Sequence, residues 1–252
     1  MKSRAGSLIR RLFDSRPSSS ATFIEVERAE RLFYLEYLRE GMTVFDVGAN
    51  IGELTLMFSR FVDVGGWVHA FEPSVTAFER LASICTAASL NNVQLERVAL
   101  AEKEGTVILH SYGDDYLSWT SQAKRPLESY GINVHSISSE EAPATTIDLY
   151  CETNHIASID LLKVDVEGAE FQVLLGARRM LEARCIQCVT FEFGQTTFDM
   201  GNDPNDIEAY LKGLGYVLRN LVESDPVFPG RESAHTACFS MHVATPADAR
   251  FT

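Results

Sequence analysis

Residues 44–52 combine one acidic residue with two glycines, at the point where an apolar stretch gives way to helical spacing. Asp46 ends the apolar stretch, and Gly48 and Gly52 follow with three residues between them. Glycine permits a sharp turn and close approach of a ligand, and the helix that follows presents free N–H groups at its start. A pyrophosphate-binding turn would carry a third glycine, which this segment lacks. A carboxylate at Asp46 instead suits a ligand that bears an ammonium group and hydroxyls.

A second acidic residue, Glu72, ends the next apolar stretch and precedes Pro73. In nucleotide sites, a carboxylate at this place accepts hydrogen bonds from the ribose hydroxyls. A solvated or helix-capping carboxylate would explain Asp46 or Glu72 taken alone. Because both stand at strand ends of one β-α-β unit with the glycine turn between them, together they indicate nucleoside binding.

A third group of charged residues follows the most apolar stretch of the second half of the chain. Lys163 and Asp165 alternate along one strand, so they point to the same side, and a lysine there needs a partner such as Asp165. Glu167 and Glu170 crowd the start of the next helix, with Gly168 between them. Acidic residues also stabilise a helix N-terminus, so capping is the alternative role, above all for Glu170.

Glu192 is an acidic residue between two phenylalanines at the end of the following strand. It is expected to approach Asp165 across neighbouring strands, and such a cluster raises one carboxyl pKa and creates a proton acceptor. His135 and His155 are alternative bases, although lone histidines in polar stretches are usually surface residues. A divalent metal on Asp165 and Glu192 has no tight ligand spacing in its favour, so no metal site is predicted.

The elements that must position these residues alternate between strand and helix patterns. This alternation predicts an α/β fold in which helices cover both faces of a mostly parallel sheet, with the ligand outside the carboxyl ends of its strands. Strands are predicted at 43–47, 67–71, 93–100, 159–166, 186–193, 216–222 and 237–243, and helices at 21–40, 53–61, 76–88, 145–153, 169–181 and 206–214.

An insertion interrupts this alternation in the middle of the chain. The turn at Glu104 and Gly105 predicts that residues 106–110 form a hairpin with the strand 93–100. Residues 111–144 are polar and lack periodicity, and they are numerous enough to form a substrate lid.

Composition restricts the partners and the compartment. The chain has 252 residues, 46% of them hydrophobic, and a net charge of −13. An acidic surface repels phosphates, which argues against a nucleic-acid substrate. An odd number of cysteines, five, argues against a disulfide framework and favours the cytoplasm, and the lone Cys185-x-x-Cys188 lacks further zinc ligands nearby. No apolar run is long enough to span a membrane.

The first twenty residues differ from the rest of the chain. They are basic, end in proline and serines, and lack the apolar stretch of a secretory signal. We predict a flexible leader at 1–20 before a single domain at 21–252. Weak contact of the leader with a membrane surface is the alternative, since four apolar residues could share one helix face.

Three segments, taken in order, resemble the FkbM-type family of S-adenosylmethionine-dependent methyltransferases. They are DVGANIG at 46–52, FEP at 71–73 and KVDVEGAE at 163–170, and the similarity spans roughly residues 40–222. The resemblance implies the Rossmann-like class I methyltransferase sheet, with seven strands of which the last is antiparallel. It also implies S-adenosylmethionine as methyl donor and O-methylation of hydroxyls on natural products, sugars or glycans.

The resemblance also implies roles for the residues of the glycine turn. Asp46, Gly48, Asn50 and Gly52 belong to the loop that would hold the amino-acid part of S-adenosylmethionine. Glu72 would hold its ribose.

The same resemblance places Lys163, Asp165 and Glu167 at the methyl group and the acceptor. We expect direct displacement, in which the site holds the acceptor hydroxyl in line with the methyl group. Asp165 is the first choice to orient the hydroxyl or take its proton, followed by Glu167 and Glu192, while Lys163 lowers the acceptor pKa or pairs with Asp165. Residues 117–121 replace a serine-rich stretch common in the family, which leaves the acceptor class open.

Two other functions fit parts of the pattern. A nicotinamide-dependent oxidoreductase could use a related sheet, but the third glycine and a Tyr-x-x-x-Lys pair are absent. A non-catalytic nucleoside-binding module would not need the charged residues at 163–167 and 192.

Overall fold

A seven-stranded sheet organises the computed structural model, which describes residues 20–248. The strand order is β3-β2-β1-β7-β8-β10-β9, and β10 alone runs antiparallel to its neighbours within this sheet. The predicted class I methyltransferase sheet is therefore confirmed. The predicted leader at 1–20, apart from Ser20, lies outside the described residues.

The strands and helices have the following bounds. The strands are β1 (Thr43–Val47), β2 (Trp67–Phe71), β3 (Val93–Glu96), β4 (Ala99–Leu100), β5 (Gly105–Ser111), β6 (Ser138–Thr145), β7 (Leu161–Val164), β8 (Val189–Phe193), β9 (Tyr216–Asn220) and β10 (Ser240–Pro246). The helices are α1 (Phe23–Tyr37), α2 (Glu53–Val62), α3 (Val75–Ala87), α4 (Ile147–Thr153), α5 (Glu170–Leu175), α6 (Arg178–Glu182), α7 (Gln195–Asp199) and α8 (Pro204–Gly213).

The core lies on both faces of the sheet, because successive side chains of a strand point to opposite sides. Val44 and Leu161 pack with α1 and α2 on one face. Phe45 and Leu162 pack with α4, α5 and α8 on the other. Every position of β7 and β8 is buried, as expected for central strands covered on both sides.

The prediction that residues 106–110 pair with 93–100 in a hairpin is wrong, because residues 106–110 pair with a different strand. The first stretch divides into β3, in the main sheet, and β4, and β5 pairs antiparallel with β6 instead. The strands β4, β6 and β5 form a separate three-stranded sheet. Most of β6 lies in the segment predicted to lack periodicity, because its sequence, SSEEAPAT, has low strand propensity and its pairing depends on tertiary contacts.

The predicted helix at 169–181 is two helices, α5 and α6, separated at Gly176. A Cβ built on Gly176 would lie 2.0 Å from the carbonyl oxygen of Ala101, so the chain that leads out of β4 passes directly over this position. The close approach needs glycine and interrupts the helix.

No helix among residues 20–248 is long and apolar enough to cross a membrane.

Candidate active site

The turn between β1 and α2 depends on Gly48 because the end of the neighbouring strand runs against it. Gly48 has a positive φ of 78°, and a Cβ there would lie 1.8 Å from the carbonyl oxygen of Asp165. Gly52 also has a positive φ, but its missing side chain makes room for Leu81 of α3, at 2.7 Å. Gly48 therefore allows the turn after β1 to pack against the end of β7, and Gly52 allows α2 to pack on α3.

A buried ion pair supports this turn from behind. Lys163 Nζ lies 3.1 Å from Asp46 Oδ1 and donates to the carbonyl oxygen of Gly48 at 2.9 Å. Thr55 Oγ1 donates to the second oxygen of Asp46 at 2.6 Å. Burial opposes the charge of Lys163, but Asp46 and then Asp165 raise the pKa of the lysine above its ordinary value.

The partner of Lys163 differs in part from the expected one. Asp165 lies 3.7 Å from the ammonium group, farther than Asp46. Asp46 is fully buried and does not line the cavity described below. Its geometry is that of a support for the glycine turn, not of a group that contacts a ligand.

Glu72 and Asn50 meet at the front of the turn. Glu72 Oε2 accepts a hydrogen bond from the Asn50 N–H and Oε1 from the Ser74 N–H, both at 2.9 Å. Burial raises the pKa of Glu72 to about 7. The side-chain oxygen of Asn50 is buried and accepts no hydrogen bond from the described residues. Both residues line the cavity, so this end of it offers acceptors for polar ligand groups.

A cavity of about 1070 Å³ opens at the carboxyl ends of the strands. Residues that follow β1, β2, β7 and β8 form its floor, and α1 and residues 114–125 form its walls. Ligands of open α/β sheets bind at this edge. The segment predicted as a lid therefore does line the cavity.

Three acidic residues predicted for catalysis share the cavity with Glu72. Asp165 and Glu167 follow β7, and Glu192 lies on β8 within hydrogen-bonding reach of Asp165, as predicted. Thr196 Oγ1 donates to Glu192 at 3.2 Å. Burial, and then the charges of Glu167 and Asp165, raise the pKa of Glu192 well above its ordinary value.

Other candidate residues have no place in the cavity. Glu170 Oε1 accepts hydrogen bonds from the N–H groups of Val166 and Gly168 at 3.0 and 3.1 Å, so it holds the loop that precedes α5 and does not cap the N–H groups of the helix itself. His135 and His155 are both exposed and line no part of the cavity. The two histidines are therefore not positioned to act as bases.

Arg125 is a site residue that the sequence did not indicate. Its side chain is 6% exposed, and its guanidinium lies 3.3 Å from Glu167 Oε2, 3.2 Å from Asp199 Oδ2 and 5.8 Å from the ring centroid of Trp119. Burial nevertheless raises the pKa of Glu167 to about 8, against the attraction of Arg125. Arg125 fastens the lid segment to the strand ends, but it belongs to the stretch without periodicity, where no motif marks it.

The sequence of the site region identifies the family. The model of the FkbM methyltransferase domain matches residues 46–218, which include the glycine turn and all the strand-end acids described above. The chain belongs to this family. S-adenosylmethionine is accordingly its methyl donor, and the nicotinamide-dependent and non-catalytic alternatives are set aside.

Individual relatives of this FkbM-family methyltransferase agree with that assignment. The 31-O-demethyl-FK506 methyltransferase FkbM of Streptomyces tacrolimicus is 29% identical over 216 residues, covering 77% of this chain and 79% of the relative. The hexuronic acid methyltransferase AglP of Haloferax volcanii is 28% identical over 180 residues, covering 70% and 64%. The crystal structure of a methyltransferase FkbM from Methylobacillus flagellatus shares the fold, with a TM-score of 0.51 and 14% identity over 92% of this chain and 58% of that one.

Proposed function

We propose that this methyltransferase transfers the methyl group of S-adenosylmethionine to a hydroxyl of a sugar, a glycan or another natural product. The observation that carries the proposal is that Glu72 and Asn50, at one end of the cavity, share it with Asp165 and Glu192. One cavity thus joins groups suited to a nucleoside with groups suited to a hydroxyl. The names of the two relatives, one acting on demethyl-FK506 and one on hexuronic acid, agree with such an acceptor.

The residues at the glycine turn fit the methyl donor. Gly48 keeps the turn free of side chains, the free oxygen of Asn50 suits a donor group of the ligand, and Glu72 suits the ribose hydroxyls. Each oxygen of Glu72 accepts one protein hydrogen bond and retains capacity for another. S-adenosylmethionine would supply an electrophilic methyl group on a sulfonium centre, and the acidic cavity suits that positive charge.

Asp165 is the acidic residue that we assign to orient the acceptor hydroxyl. Its side chain is 36% exposed, compared with 3% for Lys163. Glu192 and Glu167 lie beside it, and the lid segment covers them. The resemblance places Lys163 at the acceptor. Its contacts fit better with fixing the glycine turn and with pairing electrostatically with Asp165.

The test of the cofactor site is calorimetric titration with S-adenosylmethionine. Wild-type protein should bind in the micromolar range, and Glu72→Ala should weaken binding by at least tenfold, about 1.4 kcal/mol, because the hydrogen bonds between its carboxyl group and the ribose hydroxyls are lost. Glu96→Ala is the matched control, since Glu96 ends the adjacent strand β3 and does not line the cavity.

The two outcomes separate clearly. Equal weakening by both substitutions would show that Glu72 is not a ligand contact. No binding by folded wild-type protein would contradict the proposed function. Once binding is established, product formation from methyl-labelled S-adenosylmethionine with hexosides, hexuronates and macrolides would define the acceptor.

A further inference from the structure

Helix α1 precedes the residues matched by the family model, 46–218, yet it forms one wall of the cavity. The residues that line the cavity recur at helical spacing and so occupy one face of the helix: Phe23, Ile24, Glu27, Glu30 and Arg31. This face brings a carboxylate, that of Glu30, to the same cavity as Asp165.

The helix is held firmly against the sheet. Thr22 and Glu25 form a capping box at its start. Tyr34 is fully buried and meets Phe58 edge to face, with ring centroids 4.9 Å apart. The Tyr37 hydroxyl donates to the carbonyl oxygen of Asp160 at 2.9 Å. Glu30 is therefore presented by a fixed helix, which positions a reacting group better than a loop does.

A chain of hydroxyl groups orients the carboxylate of Glu30. The Tyr34 hydroxyl donates to Glu30 Oε1 at 2.9 Å, and Thr190 Oγ1 lies 2.9 Å from the same hydroxyl. With Tyr34 donating to Glu30, the hydroxyl of Thr190 donates to Tyr34. The second oxygen, Oε2, accepts no hydrogen bond from the residues that the structure describes, and it is the one left for a ligand.

The sheet register places these groups on one side. Asp46, Lys163 and Thr190 are direct neighbours on β1, β7 and β8, so their side chains share the face that α1 covers. Asp165 follows Lys163 by two residues and faces the same way. Glu30 thus reaches the cavity from the side of the sheet that α1 covers, near enough to Asp165 for the charge of that carboxylate to raise the pKa of Glu30.

We propose that Glu30 is a second catalytic carboxylate, which accepts the proton of the acceptor hydroxyl while Asp165 orients that hydroxyl. The inference rests on the proposed function. As the acceptor oxygen bonds to the methyl carbon, the bond from carbon to sulfur breaks and sulfur keeps the electron pair, leaving S-adenosylhomocysteine. The hydroxyl proton passes to Oε2 of Glu30, so charge and atoms balance.

The charges around Glu30 suit this role. Burial raises its pKa to about 7, and Asp165 adds to the rise, whereas Lys163, the Tyr34 hydroxyl and Arg31 oppose it. A base with a pKa near the working pH is half available and still strong enough to take a proton. Activity should therefore rise with pH through about 7.

The decisive variant is Glu30→Gln, with Glu36→Gln as control because Glu36 is an exposed residue of the same helix. Transfer is measured from methyl-labelled S-adenosylmethionine to the best acceptor among neutral hexosides, hexuronates and macrolides. We expect Glu30→Gln to lower kcat by at least 100-fold and to remove the rise through pH 7, with unchanged calorimetric affinity for S-adenosylmethionine. Glu36→Gln should behave as wild type.

A readout without turnover supports the same assignment. In protein labelled with ¹³C at glutamate carboxyls, Glu30→Gln should remove one NMR resonance that titrates near pH 7. Tyr34→Phe removes a hydrogen bond that lowers the pKa of Glu30, so it should move that resonance and the kcat profile to higher pH. A purely structural role for Tyr34 would lower stability without moving either titration.

The failures are distinguishable. Wild-type protein that neither binds S-adenosylmethionine nor methylates any acceptor overturns the proposed function and this inference with it. Wild-type protein that methylates an acceptor, combined with a Glu30→Gln variant of unchanged kcat and pH profile, overturns the role of Glu30 alone.

Discussion

Replacing Lys163 by methionine should destabilise the protein strongly because it leaves Asp46 as a buried charge without a counterion. The lysine side chain is 3% exposed and the aspartate 0%, and their charged atoms lie 3.1 Å apart. Removing one partner of such a pair typically costs about 3–5 kcal/mol. Because domains are typically stable by roughly 5–15 kcal/mol, this loss removes a large fraction of the stability, and a domain from the middle of that range stays folded.

The matched control is Lys212→Met, the same substitution in an exposed ion pair. Lys212 lies 2.6 Å from Glu208, closer than the buried pair, but it is 59% exposed. Exposed pairs of this kind contribute about 0.3–0.5 kcal/mol. Burial, not distance, therefore predicts roughly a tenfold difference between the two variants in the free energy of unfolding.

The assay is urea unfolding followed by far-ultraviolet circular dichroism, at one pH and salt concentration. A double variant, Lys163→Met with Asp46→Asn, removes both charges and should recover part of the loss, because no carboxylate is then left unpaired. The explanation is refuted if Lys163→Met costs less than about 1 kcal/mol, or if the double variant is as unstable as the sum of the two single variants.

Two further predictions concern the glycine turn and the acidic cavity. Gly48→Ala should abolish S-adenosylmethionine binding in calorimetry, because its Cβ would meet the Asp165 carbonyl oxygen at 1.8 Å. Gly201→Ala, with a similar φ of 77° and nothing within 4 Å, should bind normally and lose only about 1 kcal/mol. The ligand-free protein should become less stable from pH 5 to pH 8, since buried carboxyls with pKa values raised to about 7 or 8 bind protons in the native state that the unfolded chain releases near pH 4.5. Urea unfolding at each pH measures this slope, and stability that rises over this range would contradict it.

Local sequence was informative wherever a function depends on neighbouring residues. The turn from Asp46 to Gly52 and the strand-end Glu72 could be found because each requires a fixed order of residue types beside an apolar strand. The parallel sheet followed from alternating periodicities, and with it the edge at which ligands bind. The meeting of Asp165 and Glu192 followed as well, since both stand at the carboxyl ends of adjacent central strands.

Tertiary structure decided which groups contact one another across long separations. The sequence predicts Asp165, two residues away, as the partner of Lys163, yet strand register places Lys163 nearer to Asp46. Arg125 reaches the cavity from a segment without periodicity. Glu30 reaches it from α1, a helix whose charged face is typical of solvent exposure.

The division has one physical reason. The family, the sheet and the residues at its carboxyl edge can be predicted from the order of residues along the chain, because backbone conformation and side-chain alternation are set by near neighbours. The tertiary structure was needed to show which of these side chains line the cavity and which hold other residues in place. Burial and charge pairing depend on segments brought together from distant parts of the chain, as in the pairing of β5 with β6 and the docking of α1 over β8.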